Sequence, residues 1–257
     1  MEARTALPPD ILLYIIGLLA GKDDEGIKYL RILSQACKSM VPLCRKHLFS
    51  SLCLNNESSF ERFSDLLSKN PDIACYVRSL EYRAWIPISD HELHILDMLK
   101  ERSSLHSILL STSGLTWNDF SESFRSSLVS LIELPTVTHL NIVEFDRFPA
   151  MALSGCSNLN DLQLRDLELA PPEDNHVILR SKIPTPTSLY IKKKAYGLAA
   201  FLNSASLHAG GPIVDFSRLK KALFDVESRG DIDQVNELIK VTTRLECFYM
   251  STGICGE

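Results

Sequence analysis

The chain has 257 residues, 45% of them hydrophobic and 23% charged, which suits one large domain or a small module beside a larger one. That composition excludes wholesale disorder. A net charge of −5 and a pI near 5.8 exclude the basic field of a general nucleic-acid binder, and the one basic run, Lys192-Lys193-Lys194, reads as solvated surface.

The first predicted element is the apolar run Ile11–Ala20. Its ten residues fall well short of the roughly 20 needed to span a bilayer. Glu2 and Asp10 flank it, Arg4 is the only basic side chain ahead of it, and Leu18-Leu19-Ala20 is no A-x-A cleavage pattern, so it does not read as a signal peptide. Pro8-Pro9-Asp10 instead reads as a helix start, with proline presetting the entry and a carboxylate in the first turn. Ile11, Leu12, Ile15, Ile16, Leu18 and Leu19 give this helix a broad apolar face, and the polar stretch Gly21–Gly26 ends it. A second helix carries Leu30, Leu33, Cys37, Met40 and Val41. Pro42 stops or restarts it, leaving a short third helix through Leu43 and Leu48. Three short helices bury little by themselves and lean on a partner or a neighbouring domain.

The seven cysteines (Cys37, Cys44, Cys53, Cys75, Cys156, Cys247, Cys255) include no C-x-x-C pair and are odd in number. Neither a zinc site nor a secreted disulfide framework is expected from such spacing. They read as reduced thiols of a cytoplasmic or nuclear protein that has neither metal nor cofactor.

Leu7-Pro8-Pro9-Asp10-Ile11-Leu12, then Leu30-Arg31-Ile32-Leu33-Ser34-Gln35-Ala36-Cys37-Lys38, then His47-Leu48-Phe49 with Leu52 and Leu54, together resemble the F-box family. The resemblance covers roughly residues 6–54. It departs from the family pattern at Asp10, where glutamate is usual, and at Met40, where many members carry tryptophan or phenylalanine. The resemblance implies docking to a Skp-family adaptor of a cullin-based ubiquitin ligase. By the same resemblance the contact falls to Leu7, Pro8, Ile11, Leu12, Ile15, Leu30, Leu33, Cys37 and Met40.

A helix is predicted from Ser58 to Lys69, with Ser58 and Glu61 as a capping box and Asn70-Pro71 as its end. After it, one pattern recurs: apolar-x-x-apolar-x-apolar. It appears as Val77/Leu80/Tyr82, Leu105/Ile108/Leu110, Val137/Leu140/Ile142, Leu159/Leu162/Leu164 and Leu245/Phe248/Met250. Looser copies stand at Pro186/Leu189/Ile191 and Leu219/Ala222/Phe224. The middle positions 80, 108, 140, 162, 189, 222 and 248 are 28, 32, 22, 27, 33 and 26 residues apart, close to the 20–29 residues of a leucine-rich repeat. Helical patterns lie between them, at Leu93/Leu96/Leu99 after a Ser89/Glu92 capping box, at Phe124/Leu128/Leu131/Ile132 and at Ile232/Val235/Leu238/Ile239. Ala170–Pro186, with four prolines, reads as a loop. Strand–helix alternation at this period predicts an α/β class with a parallel sheet and helices on its outer side. The expected architecture is therefore a three-helix F-box-like module (1–54), a linker helix (55–75) and an irregular leucine-rich-repeat-like array (76–257).

Side chains alternate along a strand, so residues beside the apolar pair point away from the core. This gathers Arg83, Ser107, His139, Asn141, Gln163, Arg165, Tyr190, Lys192 and Tyr249 on one concave face suited to a target protein, whose identity the residues do not disclose. Catalytic patterns fail one by one. His91-Glu92-Leu93-His94 places its histidines three apart, whereas H-E-x-x-H needs four, and there is no G-x-S-x-G, P-loop or G-x-G-x-x-G. Gly230–Val235 resembles an ankyrin helix but lacks a T-P-L-H partner. The expectation is a non-enzymatic substrate receptor of a ubiquitin ligase. The alternative is a leucine-rich-repeat scaffold for protein binding outside that pathway, with a hydrolase of unfamiliar type a distant third.

Overall fold

In the computed structural model of the chain, the described residues are 8–20, 24–36, 38–170, 183–192, 212–226 and 229–252. They begin with three helices, α1 (Pro9–Ala20), α2 (Asp24–Ala36) and α3 (Met40–Leu48). Ile16, Leu30, Met40 and Cys44 form their buried centre, and Leu12, Leu19, Ile27, Leu33, Leu43 and Leu48 pack half-buried around it. The division between the second and third helices falls ahead of Met40, not at Pro42 as the sequence suggests. Pro42 sits in the first turn of α3, where a missing N–H breaks no intrahelical bond. Helix α2 begins at Asp24, inside the stretch read as a loop.

Strand β1 (Ser51–Leu54) follows at once, and helix α4 (Glu57–Lys69) after it. The capping box of α4 differs from the one expected. Asn56, extended at φ −158°, takes the Ser59 N–H on its side-chain oxygen at 3.0 Å, and the Ser59 hydroxyl accepts the Asn56 N–H at 3.3 Å. Asn56 outcompetes Ser58 because its own backbone has already left the helix and its amide oxygen reaches the first turn. Asn70 and Pro71 end α4 as predicted, and a 3-10 turn (Pro71–Tyr76) leads into β2 (Ser79–Arg83).

The rest alternates. Helix α5 (Asp90–Arg102) precedes β3 (Ser107–Thr116), and α6 (Glu122–Ile132) precedes β4 (His139–Asp146). A 3-10 turn (Ala150–Gly155) then stands in for a helix before β6 (Asp161–Arg165). Strands β8 (Ser188–Lys192), β9 (Lys221–Val226) and β10 (Cys247–Thr252) follow, with α7 (Arg229–Val241) between the last two. Short strands β5 (Phe148–Pro149) and β7 (Leu169–Ala170) pair separately. Of the segment read as a loop at Ala170–Pro186, residues 171–182 lie outside the described residues.

The eight strands form one parallel sheet in the order β1-β2-β3-β4-β6-β8-β9-β10. The class is α/β, as composition and alternation imply. Each middle position of the recurring pattern lies beside the next: Leu80, Ile108, Leu140, Leu162, Leu189, Ala222 and Phe248 form one ladder, extended by Leu52 of β1. Two residues on, Leu54, Tyr82, Leu110, Ile142, Leu164, Ile191, Phe224 and Met250 form a second. From β2 to β9 both ladders are buried. They pack with Phe60, Phe63 and Leu67 of α4, Ile95, Leu96 and Leu99 of α5, and Phe124, Leu128, Leu131 and Ile132 of α6 in one continuous core. At β10 that cover ends, and Phe248 and Met250 are 38% and 46% exposed.

Two local devices hold this core. The Tyr82 hydroxyl donates to Glu92 Oε2 at 2.5 Å, while Glu92 Oε1 accepts the Ser89 N–H at 3.1 Å, so the predicted capping box of α5 also satisfies a buried phenol. At the C-terminal end of the strands, β3 bulges between Ser111 and Leu115, with Gly114 at φ +75°, a conformation that glycine adopts freely. The Thr112 hydroxyl donates to the Glu144 carbonyl and accepts the Leu115 N–H, pinning the bulge. Above it Trp117, Phe120, Phe145 and Phe148 pack edge to face or tilted, with ring centroids 5.0–6.4 Å apart. Among the described residues no helix is long and apolar enough to cross a membrane.

Candidate functional site

Two surfaces stand out, and the first is the outer side of the helical module. Helix α1 is apolar nearly all round its axis, yet among residues 10–20 Ile16 alone is fully buried. Such a helix is normally enclosed on every side. Here Ile11, Tyr14, Leu18, Tyr29 and Ile32 are 46–66% exposed. Between α1 and α2 a groove of about 420 Å³ is lined by Ile15, Leu19, Tyr29, Ile32, Leu33 and Ala36, none of them charged. A continuous apolar patch of this kind marks an interaction surface.

The residues tied to adaptor docking by resemblance divide into three sets. Pro8, Ile11 and Ile15 are exposed on this side, and Leu12 and Leu33 are half-buried at its edge. Leu30 and Met40 are buried in the centre of the module, so they shape the face from beneath and do not line it. Leu7 and Cys37 lie outside the described residues. Tyr14, Leu18, Tyr29 and Ile32 are also exposed on these helices, although the resemblance did not count them among the contacts. Periodicity counts apolar positions and says nothing of which side a neighbour covers.

The second surface is the side of the sheet away from the helices. Parallel register turns the outward residues of eight strands into straight rows. The middle row reads Cys53, Glu81, Leu109, Asn141, Gln163, Tyr190, Leu223 and Tyr249. The row towards the strands' C-termini reads Arg83, Ser111, Val143, Arg165, Lys192, Asp225 and Ser251. His139 lies in the row towards the N-termini, beside Ser107 on one side and Asp161 on the other. The structure thus brings together Arg83, His139, Asn141, Gln163, Arg165, Tyr190, Lys192 and Tyr249 on one face. It adds Glu81, Leu109, Leu223 and Asp225, which the same alternation could have flagged.

Several of these side chains are held in place. Arg83 Nη2 donates to Ser113 Oγ at 3.0 Å, and its guanidinium lies 4.8 Å from the centroid of the exposed Trp85 ring. Arg165 Nε–H donates to Asn141 Oδ1 at 3.3 Å, and His139 Nδ1 is 2.8 Å from the Thr138 hydroxyl. Partial burial, then the neighbouring Glu81 carboxylate, push the Cys53 thiol above its usual range. Burial, then Glu133, push the Cys156 thiol up to about 12, which keeps it protonated and a poor nucleophile. His91, from the pattern that only superficially resembles a metalloprotease motif, is exposed with Nδ1 3.2 Å from Ser64 Oγ. Among the described residues no group of three His, Cys, Asp or Glu side chains is arranged to hold a metal ion. The geometry on both faces suits binding: an apolar helix groove at one end, and a ruled polar and aromatic sheet beside it. No protein-family model matches the chain, and no curated protein does.

Proposed function

We propose that the chain is a substrate receptor of a cullin-based ubiquitin ligase, acting in the cytoplasm or nucleus. On this reading the N-terminal helices are an F-box that docks on a Skp-family adaptor, and the sheet belongs to an irregular leucine-rich-repeat solenoid that holds a target protein. The chain performs no chemistry itself. It supplies proximity, raising the effective concentration of the target at the ubiquitin-carrying subunit.

The observation that carries the reading is the uncovered apolar face of α1 and α2, on the segment whose residues follow the F-box pattern. Burying one such side chain contributes about 1.5–3 kcal/mol, so a face with five of them exposed favours a permanent or frequent partner. Met40 departs from the family pattern, but it is 8% exposed and packs in the centre of the module as a flexible thioether.

The test is co-purification with a Skp-family adaptor. Capture is expected for the native chain. It is expected to be lost in Ile32→Asp, which alters an exposed position and leaves the module folded, and reduced in the Leu7→Ala/Pro8→Ala pair. No capture, or capture indifferent to all three changes, sinks the proposal. A chain that holds a target protein without any adaptor would instead be a repeat scaffold outside the ubiquitin pathway.

A further inference from the structure

The sheet face carries an arrangement that general solvation does not explain. Arg165 of β6 and Lys192 of β8 are direct neighbours in the register, both half-buried and on the same side. Like charges directly opposite each other across strands destabilise a sheet. Among the described residues neither makes an ion pair. The nearest in-row carboxylate, Asp225 beside Lys192, accepts a hydrogen bond from Ser251 Oγ at 3.2 Å. Asn141 holds Arg165 through Nε, and among the described residues the guanidinium's two outer amino groups make no hydrogen bond. Two cations are thus held side by side, one of them already oriented.

Next to them the middle row changes character. Gln163 is followed by Tyr190, Leu223 and Tyr249, of which Leu223 is 39% and Tyr249 63% exposed. An uncharged, partly aromatic strip therefore starts at Tyr190, on the same strand as Lys192, and runs to the sheet's last strand. We infer that this part of the sheet binds an extended acidic peptide of the target, with a carboxylate over Arg165 and Lys192 and an apolar side chain over Leu223 and Tyr249. The inference rests on the reading of the sheet face as the target-holding surface. Charge complementarity selects the occupant: two adjacent cations, with one carboxylate beside them in the row and no ion pair among the described residues, favour an anion, and a guanidinium fork matches a carboxylate in two-point contact. The strip sets the second requirement. From the cation pair to β10 is two to three strand spacings, about 10–14 Å, and side chains of an extended peptide alternate, so the acidic and apolar residues stand about four apart, on one face of the peptide.

The probe is a panel of short synthetic peptides with one glutamate and one leucine at spacings of two to six, read by fluorescence anisotropy against the full-length chain. Binding is expected to peak at a spacing of about four and to fall at the odd spacings of three and five. It should weaken about tenfold when glutamine replaces glutamate, and equally in Lys192→Gln, as for losing a hydrogen bond to a charged group. Arg165→Lys keeps the charge but loses the fork and is expected to weaken binding less. Leu223→Asp should remove the preference for leucine. An unchanged melting temperature in each variant excludes unfolding as the cause. Equal binding of glutamate and glutamine peptides, indifference to Lys192→Gln, or binding only of a phosphoserine peptide each overturns the inference. Adaptor capture, measured on the same preparations, separates the two ideas. A chain that captures the adaptor but ignores acidic peptides overturns this inference alone, and one that binds the peptides but captures no adaptor overturns only the ligase reading.

Discussion

The helical module and the sheet core treat the same residue types in opposite ways. Between β2 and β9, both apolar ladders and the helix faces opposite them are buried, and the aromatic cluster around Phe145 closes the top. In α1–α3, four buried side chains hold the module together while Ile11, Tyr14, Leu18, Tyr29 and Ile32 of α1 and α2 are exposed. Leucine and isoleucine are therefore no guide to interior position in the first 36 residues, though they are a good one afterwards. From β2 to β9 the core is covered by the chain's own helices, whereas the module leaves much of its apolar area uncovered by any described residue.

That contrast can be broken by mutation, beginning with the sheet. Phe145→Ala, which empties the centre of the aromatic cluster, should cost about 3–5 kcal/mol in urea denaturation of the whole chain. Adaptor capture should persist wherever the variant stays folded. Leu30→Ala removes a central side chain of the small module and should cost about 2–5 kcal/mol. Here the loss should be local: faster amide exchange in α1–α3, with exchange in the sheet unchanged. If the two variants instead unfold the whole chain at one shared midpoint, the two cores are one cooperative unit and the comparison fails.

Tyr82 tests the core more gently. Tyr82→Phe leaves Glu92 Oε2 without its donor and should cost about 1–3 kcal/mol near neutral pH. Burial, then the Glu92 carboxylate, hold the Tyr82 phenol far above its ordinary value. In the unfolded chain the phenol ionises near 10, so its contribution is fully present below about pH 10 and is lost as pH rises further. The native chain should accordingly lose stability from about pH 10 upward, and Tyr82→Phe should flatten that decline. The smallest effect belongs to Asn56→Ala, which removes the cap of α4 and should lower stability by about 1 kcal/mol. A Ser58→Ala change should do almost nothing, because Ser58 is not the cap.

The sheet was legible because alternation within a strand and recurrence between strands are both local patterns. Seven middle positions picked from apolar spacing became seven neighbours in one ladder. Even Ala222, a weak member by size, fell into place because its neighbours on the strand fixed its side. The eighth strand, β1, was grouped with the helical segment, since four residues are too few to show a period. The caps show a similar limit: Ser89/Glu92 was readable, but Asn56 and Ser58 compete within three residues and only backbone geometry separates them. On the helical face, Leu30 and Ile32 look alike in sequence. One is at the centre of the module and the other is 57% exposed, a difference set by how three helices cross.

The shared register also bears on how this chain tolerates changes in length. The segments between ladder positions run from 22 to 33 residues, and one is bridged by a 3-10 turn where others use a helix, yet every strand arrives in step. Insertions or deletions between strands therefore leave the rows intact, at a cost that grows only slowly with loop length. A single residue inserted inside a strand does the reverse. It turns each following side chain of that strand to the opposite side, sending Leu164 into solvent and Arg165 into the core. The same sequence is thus permissive to indels at its joints and intolerant of them within its rungs, and its outward sheet face is inherited through a frame of five or six residues at a time.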